Sequence, residues 1–527
     1  HKPLERGSNN YYSIIQGVKN IMSTRIKLLA GTPNDDNRDY LPMEIKGTDM
    51  TVNENGNSSH RYPERLKEYH DTVNGVEGTW YEYVPTTYDP NKKTPLVFGM
   101  HGGLMTGWGH AIYTSWVLVA ERDGFICIFP DAHKPGAWVF ESTGSGRSAK
   151  KDKDGNLVPN IDIKENPDCN FALGLMELMK QKYNIDEGRI FMQGMSAGNL
   201  FTHQFCRYYG DKLAGAAGAS GPGSIGLCFD EEGKIINKAG PLAIWQTRAE
   251  HNGFGIRDYP IDAYVNKYNR LYWMLINECD PIPQIKLDGE DNYAFYKGKK
   301  APLVYLDVKN RDHGQTLDEA YLYWDYLFSG IRREPDGTIV QTETVLPQTG
   351  DEYAAAFTPG VSKAWFHNQM QDMDVKCMMW QKLKYHGLNG GAKVRGEYFM
   401  VPLSFIAKMV EAEYKPNKDE HTAVLTLKDG RDLQFARGVI GCMIDDTLRS
   451  MYIETIEREG ELLISVEWFF RYIMQMQVSV CNEVVYITDH HAELSYHMAD
   501  LIKDILKGEP MPAHYPEDYT NLMETGW

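Results

Sequence analysis

Several features that define large protein classes are missing from this sequence. It has eight cysteines in 527 residues and no CxxC pair, which argues against a zinc or iron–sulfur site and against a disulfide-stapled scaffold. Its longest apolar stretches, such as Trp116–Ala120 and Phe125–Pro130, are far shorter than the roughly 20 residues that a membrane-spanning helix needs. We therefore expect a soluble protein without a metal site, whose cysteines are buried free thiols.

Clusters of basic residues are missing as well. The 55 Lys and Arg residues against 72 Asp and Glu residues give a formal net charge of −17. Nucleic acid and anionic membrane surfaces are therefore disfavoured as partners. The chain begins at His1 with no charged, apolar leader, so we expect either that a signal peptide has been removed or that the sequence has been trimmed.

The composition is that of a globular protein, with 42% hydrophobic and 24% charged residues. A chain of this length is expected to contain two or three domains. Across residues 76–330, apolar runs such as Pro95–Met100 alternate with helix-length stretches such as Asp168–Tyr183. This alternation predicts an α/β domain with a doubly wound, mostly parallel sheet.

The remainder of the chain divides into four parts. We expect an N-terminal extension with edge hairpins over 1–75, a linker or domain extension over 331–395 and a C-terminal tail over 491–527. Residues 396–490 contain a weak repeat, in which Met400–Ile406 matches Ile464–Phe470 in pattern. Each half then runs through a short helix into an extended segment, which predicts a small α+β domain with an internal duplication.

The strongest local motif is Gly194-Met195-Ser196-Ala197-Gly198. It follows the apolar strand Arg189–Gln193 and precedes a helix-like run, Asn199–Tyr209. This order is typical of a nucleophile elbow, in which flanking glycines permit a tight turn and an unfavourable φ at the serine. The pattern predicts that Ser196 is a nucleophile at the carboxyl edge of the sheet.

A second turn predicts the donors that would stabilise an oxyanion. His101-Gly102-Gly103 follows the strand Pro95–Met100, upstream of the elbow. A turn of this kind typically presents a backbone N–H to the reacting carbonyl, and the N–H of Ala197 supplies the other donor. We predict that the first N–H belongs to Gly103 or Leu104.

A nucleophilic serine needs a base, for which sixteen histidines compete. His313 lies in the turn Asn310–Gly314, after the last strong strand and before the helix Leu317–Phe328. This fold delivers its histidine at that place, so we predict His313 as the base. The other candidates are expected to pack in the elbow helix, to form the oxyanion turn or to line the mouth: His203, His101, His110, His133 and His251.

The acid that orients the base is expected in the turn after the strand Pro241–Gln246. Glu250 is the one carboxylate of that turn, and we predict it as the acid. Asp258, Asp262 and Asp280 follow in a long insertion and stay open as alternatives. Asn252 can orient an imidazole ring, but it cannot balance the charge of that ring.

Four side chains are predicted to contact substrate. Aromatic residues near the expected mouth are suited to stacking on an aromatic acyl group or a sugar. The predicted substrate-binding residues are His101, Trp108, Trp138 and Trp245.

Residues from about 75 to 330 resemble the secreted esterase family that includes poly(3-hydroxybutyrate) depolymerases and feruloyl or acetylxylan esterases. The segments that carry the resemblance are His101–Gly103, Phe129–Asp131, Asp168 with Phe171, Tyr183–Arg189, Gly194–Gly198, Ala214–Gly221 and Asp312–Gly314. The resemblance implies an α/β-hydrolase fold, a serine mechanism without metal or cofactor, and ester substrates with hydroxyacyl or aromatic acyl groups. It maps the nucleophile to Ser196 and the base to His313. The family usually places an aspartate where this chain has Asn252.

The repeat looks like the domain called copper amine oxidase N-terminal-like. Its signature is Val401–Phe405, echoed at Ser465–Phe469. No His or Cys ligand set accompanies it, so no copper is implied. Such domains resemble stalks or wall-associated modules of extracellular bacterial proteins. This likeness implies a bacterial protein, extracellular or at the cell surface, whose C-terminal domain contacts a cell wall or a polymer.

Together these features imply a secreted serine carboxylic-ester hydrolase that forms an acyl-enzyme. Its substrates are expected among polyester, hydroxyacyl, aromatic-acyl and acetyl esters. A serine peptidase of the prolyl-oligopeptidase kind would share the sheet and the elbow, but it usually needs a gating domain and a cationic handle that are not evident here. A non-catalytic binding protein on a hydrolase fold is a second alternative, which Asn252 keeps open.

Overall fold

The structure is a computed structural model, and it describes residues 65–139, 141, 153, 161–221, 225–230, 233–251, 261–386 and 391–511. The described residues fall into two compact units. The first unit comprises residues up to 281 together with 295–348, and the second comprises 282–294 together with 349–511.

Ten strands form one mixed sheet, which is built mostly from residues of the predicted α/β domain. Its strands are β1 Leu66–Val73, β2 Val76–Tyr83, β3 Thr94–Met100, β4 Ile126–Pro130, β5 Ile185–Met195, β6 Gly215–Ala219, β7 Ala243–His251, β8 Gln284–Asp288, β9 Asp291–Tyr296 and β10 Leu303–Asp312. They lie in the order β1-β2-β4-β3-β5-β6-β7-β10-β9-β8. The pairs from β4 through β3, β5, β6 and β7 to β10 are parallel, whereas β1–β2 and β2–β4 are antiparallel. This topology agrees with the predicted α/β-hydrolase fold.

Helices of the first unit follow the parallel strands in sequence, as the alternation predicted. They are α1 Gly107–Tyr113, α2 Trp116–Asp123, α3 Pro167–Lys182, α4 Ala197–Tyr209, α5 Ile225–Cys228, α6 Ile261–Ile276 and α7 Glu319–Tyr326. Helix α3 begins with a proline in its first turn, and the side chain of Asn166 accepts a hydrogen bond from the Cys169 N–H. These are ordinary signals for the start of a helix.

Strand β6 consists only of glycine and alanine, because helix α4 approaches the sheet closely there. A Cβ added to Gly218 would collide with the side-chain amide of Asn199 on α4. Larger side chains along β6 would therefore push the helix away from the sheet. The Gly and Ala residues of β6 alone do not predict this close packing; the prediction also needs the sequence of helix α4, which precedes β6.

The second unit is built from short antiparallel strands. After the hairpin β11 Ile331–Arg333 and β12 Ile339–Gln341 of the first unit come β13 Ala354–Phe357, β14 Lys363–Phe366, β15 Gln369–Asp372, β16 Met378–His386, β17 Gly391–Pro402, β18 Glu413–Asn417, β19 Thr422–Thr426, β20 Asp432–Ala436, β21 Gly441–Ile444, β22 Thr447–Ser450, β23 Ile456–Arg458, β24 Glu461–Ser465, β25 Gln477–Cys481 and β26 Val484–Thr488. They form sheets in the orders β15-β14-β13-β26-β25, β16-β17-β24-β23 and β18 to β22 in sequence. The helices are α8 Leu403–Val410, α9 Val466–Trp468 and α10 Tyr496–Leu506.

The two halves of the predicted repeat lie side by side. Strand β17 runs into helix α8, and β24 runs into α9. The strands pair antiparallel, with Met400 opposite Ser465 and Pro402 opposite Leu463. Both segments therefore pass from a strand of one sheet into a helix, and they leave the sheet in opposite directions because the strands are antiparallel. The duplication itself stays a prediction.

Two of the predicted segments are folded. Of the two alternatives for residues 331–395, a linker or a domain extension, the structure favours the extension, because β13, β14 and β15 pair with one another and with β26. Within the predicted tail 491–527, α10 buries Met498, Ile502 and other apolar side chains. Most of the predicted extension 1–75 and the end of the tail lie outside the described residues.

Six of the eight cysteines, all except Cys279 and Cys481, are buried. Among the described residues, no helix is long and apolar enough to cross a membrane.

Arg333 connects four chain segments of the first unit. Its guanidinium donates to the backbone oxygens of Gly210, Leu213, Pro241 and Gly337 at 2.6–3.1 Å. Burial lowers the pKa of this guanidinium, but the carbonyl dipoles around it favour the charged form.

We expect Arg333→Met to lower the free energy of unfolding by about 3 kcal/mol, because the substitution leaves several carbonyl groups without their donor. Urea denaturation followed by circular dichroism measures the change. Arg449→Met is the matched control, since Arg449 is exposed on β22. Equal stability of the two variants would contradict this assignment.

Candidate active site

Ser196 lies at a sharp turn between β5 and helix α4. Its backbone has φ 55° and ψ −120°, which is unfavourable for a residue with a side chain. Gly194 and Gly198 flank it at close quarters: a Cβ on Gly194 would collide with Gly198 O, and a Cβ on Gly198 with Met100 O. The backbone therefore has the geometry of a nucleophile elbow.

The structure brings Ser196 and His313 together. The Ser196 Oγ lies 2.8 Å from Nε2 of His313, although 117 residues separate the two in the sequence. Ser196 projects from the end of β5, and His313 follows the end of β10. Because both strands run in the same direction within the sheet, their carboxyl ends meet at one edge. This pair can transfer a proton from the hydroxyl to the imidazole.

Buried side chains hold the loop that carries His313. The Oγ of Ser220 accepts from Gly314 N–H at 3.1 Å and lies 3.3 Å from Gly314 O. The Nε2 of Gln193 donates to Gln315 Oε1 at 2.8 Å. Gly314 is thus tied to Ser220, which follows β6, and Gln315 to Gln193 on the elbow strand β5.

Gln193 is the centre of a buried polar network that the sequence interpretation missed. Its Oε1 accepts from Nε2 of His110 at 3.0 Å and from Nε1 of Trp116 at 2.8 Å. Burial lowers the pKa of His110 to about 3, so its imidazole is neutral. The available signal was a glutamine at the end of an otherwise apolar, fully buried strand segment, since such a residue needs partners.

The structure corrects one of the two predicted oxyanion donors in the first turn. The N–H of Leu104 donates to Gly136 O at 2.8 Å, so it already has an acceptor. The Leu104 side chain is 97% exposed and its φ is 61°. Gly103 is better placed, because a Cβ at this glycine would lie 3.8 Å from the Ala197 Cβ. Within the described part of the chain, the N–H groups of Gly103 and Ala197 have no acceptor.

The sequence predicts that His101 contacts substrate, but the structure shows that it does not. The ring is fully buried; Nδ1 donates to Gly102 O at 2.7 Å, and Nε2 accepts from Ala132 N–H at 3.0 Å. Burial lowers its pKa to about 4. The neutral imidazole therefore fixes the oxyanion turn against a neighbouring loop.

Two of the three predicted tryptophans are also buried rather than at the mouth. Trp138 donates to His101 O at 2.7 Å and stacks on Phe201. Trp245 is 1% exposed and donates to Thr247 Oγ1 at 2.9 Å. Their indole N–H groups serve as internal hydrogen-bond donors, which position in the sequence does not reveal. Trp108 is 41% exposed, with its ring edge-on to Tyr81.

Glu250 is held by hydrogen-bond and charged partners in the structure, and its role as the acid stays a prediction. Its Oε2 accepts from Asn310 N–H at 2.8 Å and lies 3.8 Å from Nε2 of His251. Strand β7 continues to His251, so Glu250 lies within the strand rather than in the expected turn. Asp280 is exposed beyond helix α6. Asn252, Asp258 and the side chain of Asp262 lie outside the described residues, so the acid stays open.

Asp168 and Asp131, two residues of the resemblance, hold the surrounding loops. Asp168 accepts from His133 N–H at 2.6 Å and from Val139 N–H at 2.5 Å. Asp131 accepts from Gly107 N–H at 2.6 Å, at the start of α1. Burial raises the pKa of both carboxyl groups. Their backbone bonds therefore show a positioning role for these residues.

Among the described residues, no group of three or more His, Cys, Asp or Glu side chains is arranged to hold a metal ion.

No protein-family profile matches the chain. Over 249 residues the chain is 27% identical to a bifunctional acetylxylan esterase/xylanase, XynS20E, of Neocallimastix patriciarum; the match covers 46% of this chain and 32% of that protein. The chain thus spans about a third of the length of this relative. The match shows homology, at low identity, to an acetylxylan esterase-type hydrolase. The likeness of residues 396–490 to a copper amine oxidase N-terminal-like domain stays a prediction.

Two similar solved structures are also esterases. The acetyl xylan esterase from Aspergillus awamori is 17% identical, with 49% of this chain and 97% of that chain covered and a TM-score of 0.36. The CE1 ferulic acid esterase AmCE1/Fae1A from Anaeromyces mucronatus is 17% identical, with coverages of 49% and 88% and a TM-score of 0.30.

The buried neutral imidazole of His101 makes stability depend on pH. Its pKa is about 4 in the folded chain and about 6.5 in the unfolded chain. The unfolded chain therefore binds more protons between these values, so stability falls as pH falls from 6.5 towards 4.

We expect this residue to account for about 2 kcal/mol of the stability lost between pH 7 and pH 5. His101→Asn should lose less stability over that interval than the wild type, although it is less stable at pH 7. Urea unfolding at the two pH values tests this, with the exposed His491→Asn as control. An unchanged pH dependence in His101→Asn would contradict the assignment.

Proposed function

We propose that this protein is a serine carboxylic-ester hydrolase. The observation that carries the proposal is the 2.8 Å contact between Ser196 Oγ and His313 Nε2, at a residue with elbow geometry. Two further backbone N–H groups, of Gly103 and Ala197, support it as donors for an oxyanion. The homology to esterase-type hydrolases favours ester hydrolysis over peptide hydrolysis.

The proposed reaction has two halves. His313 accepts the proton of Ser196 as Oγ attacks the ester carbonyl, and the two N–H groups stabilise the negative oxygen. The imidazolium then gives its proton to the leaving alcohol, and an acyl-enzyme forms. In the second half, His313 activates water, which attacks the acyl carbonyl and releases the acid and free Ser196.

We propose acyl esters of a polysaccharide or polyester as the general substrate class. Support comes from the homologous acetylxylan esterase/xylanase and from the resemblance of the site segments to polyester and feruloyl esterases. Secretion, a bacterial origin, an extracellular or cell-surface location and polymer contact through the C-terminal domain belong to the same proposal.

The first test compares wild type with Ser196→Ala and His313→Ala on nitrophenyl acetate. We expect kcat/KM to fall by at least about 1,000-fold in both variants, because they remove the two groups that react. A serine-reactive phosphonate should label the wild type but not Ser196→Ala. Ser450→Ala, on the exposed strand β22, is the control.

Full activity of Ser196→Ala would overturn the serine mechanism. Hydrolysis of peptide anilides with no hydrolysis of esters would instead favour a peptidase, and no labelling with no turnover would favour a binding protein.

A second test concerns the bond between Gln193 and Gln315. If it positions the loop of His313, Gln193→Leu and Gln315→Leu should each lower kcat by about tenfold with a smaller change in KM, since misplacement of the base affects the reaction more than binding. The double variant should lose no more than Gln193→Leu alone, because that variant already removes the bond to Gln315 together with those to His110 and Trp116. Additive losses would show that the two residues act independently.

A further inference from the structure

A cavity of about 40 Å³ lies beside the elbow, between helix α4, strands β6 and β7, and helix α6. The residues of its wall that matter here are Asn199, Thr202, His203, Ser220, Thr247 and Trp273. At roughly 10–15 Å³ of such volume for one water molecule, it holds about three waters or a short chain of atoms. An aromatic acyl group is too large for it.

Two residues that line the cavity, Asn199 and Ser220, bond to the chain segments that carry the reacting pair. Asn199 N–H donates to Ser196 O at 2.9 Å, and the Asn199 Nδ2 donates to Ser220 O at 2.7 Å. Ser220 in turn accepts from Gly314 N–H, next to His313. An acyl group attached to Ser196 therefore has this cavity as a neighbouring space.

The imidazole of His203 also lines the cavity. The residue is only 9% exposed, and neither of its ring nitrogens has a hydrogen-bond partner among the described residues. Aromatic rings pack near it, with centroid distances of 5.7 Å to Tyr272 and 6.0 Å to Trp273. Burial lowers its pKa to about 4, so the ring is neutral at pH 7, with one donor and one acceptor.

The hydroxyl groups nearby do not need a ligand. Thr202 Oγ1 donates to Gly198 O at 2.8 Å, and Thr247 Oγ1 accepts from Trp245 Nε1. A buried imidazole without partners is costly, whereas a ligand oxygen at this point would satisfy it. In this part of the cavity, His203 is therefore the group that needs a hydrogen-bond partner from a ligand.

The spacing along helix α4 indicates how long the chain must be. His203 is seven residues beyond Ser196, which is roughly 10 Å along a helix axis. Helical side chains lean towards the N-terminus, so the ring lies nearer to Ser196 than its Cα does. A straight acyl chain attached to Ser196 needs about four or five carbons to bring an oxygen to that ring.

We propose that the cavity is the acyl pocket and that it selects a short, unbranched acyl group with an uncharged oxygen on its fourth carbon, hydrogen-bonded to His203. This inference rests on the proposed function, because it takes Ser196 as the acylated residue. It makes His203 a specificity-determining residue, and it disfavours acyl groups with an aromatic ring.

The kinetic test compares nitrophenyl 4-oxopentanoate with nitrophenyl pentanoate, which have equal chain length and differ by one carbonyl group. We expect wild type to have a kcat/KM at least about tenfold higher for the oxo ester. His203→Phe should reduce that ratio to about one, and His203→Gln, which keeps a donor and an acceptor, should restore part of it. The exposed His491→Phe is the matched control and should keep the wild-type ratio.

A binding measurement separates this proposal from the proposed function. Calorimetric titration of Ser196→Ala with 4-oxopentanoate and with pentanoate needs no catalysis, and we expect the oxo acid to bind about tenfold more tightly. Absence of hydrolysis of every ester would refute the proposed function, while the titration would still decide the pocket. Equal binding of the two acids, equal turnover of the two esters, or an unaltered ratio in His203→Phe would overturn the pocket assignment.

Discussion

The close approach of helix α4 to the central strands is the constraint on which the site depends. A Cβ atom added to Gly194, Gly198 or Gly218 would collide with a neighbouring backbone or side chain. This crowding holds Ser196 at a positive φ, a conformation that costs free energy and persists only where the surroundings impose it. The hydroxyl is thereby fixed before any substrate arrives, so no reorganisation is required for its contact with His313.

Buried polar side chains next to the elbow also fix the position of the loop that carries His313. Gln193 is on the elbow strand and Ser220 follows the next strand, and each bonds to a residue beside that histidine. Both are almost completely buried, where an unpaired polar group is costly. The loop therefore has one favoured position. The hydrogen bonds of Gln193 and Ser220 thus set the 2.8 Å contact between Ser196 and His313.

The sequence predicted those parts of the site that depend on local pattern. An apolar strand, a glycine-flanked serine and a helix are adjacent in the chain, and strand order then places His313 beside Ser196. The errors concern His101 and Trp138, whose roles depend on partners distant in sequence. A histidine or tryptophan near a site has the same appearance in a sequence whether its polar atoms bond internally or face a substrate. Likewise, the paired strands at 354–372 resemble a linker until their partner β26 is known.

The buried histidines around the site share one electrostatic property. Burial lowers the pKa of His101, His110 and His203 to about 4, about 3 and about 4, so all three are neutral at pH 7. A cation close to His313 would oppose the imidazolium that the proposed reaction forms there, and more strongly in the interior than in water. Neutral imidazoles can donate and accept hydrogen bonds without adding such a charge. Because they are buried and neutral, these three histidines can make polar contacts near His313 without opposing the positive charge that His313 takes up in the proposed reaction.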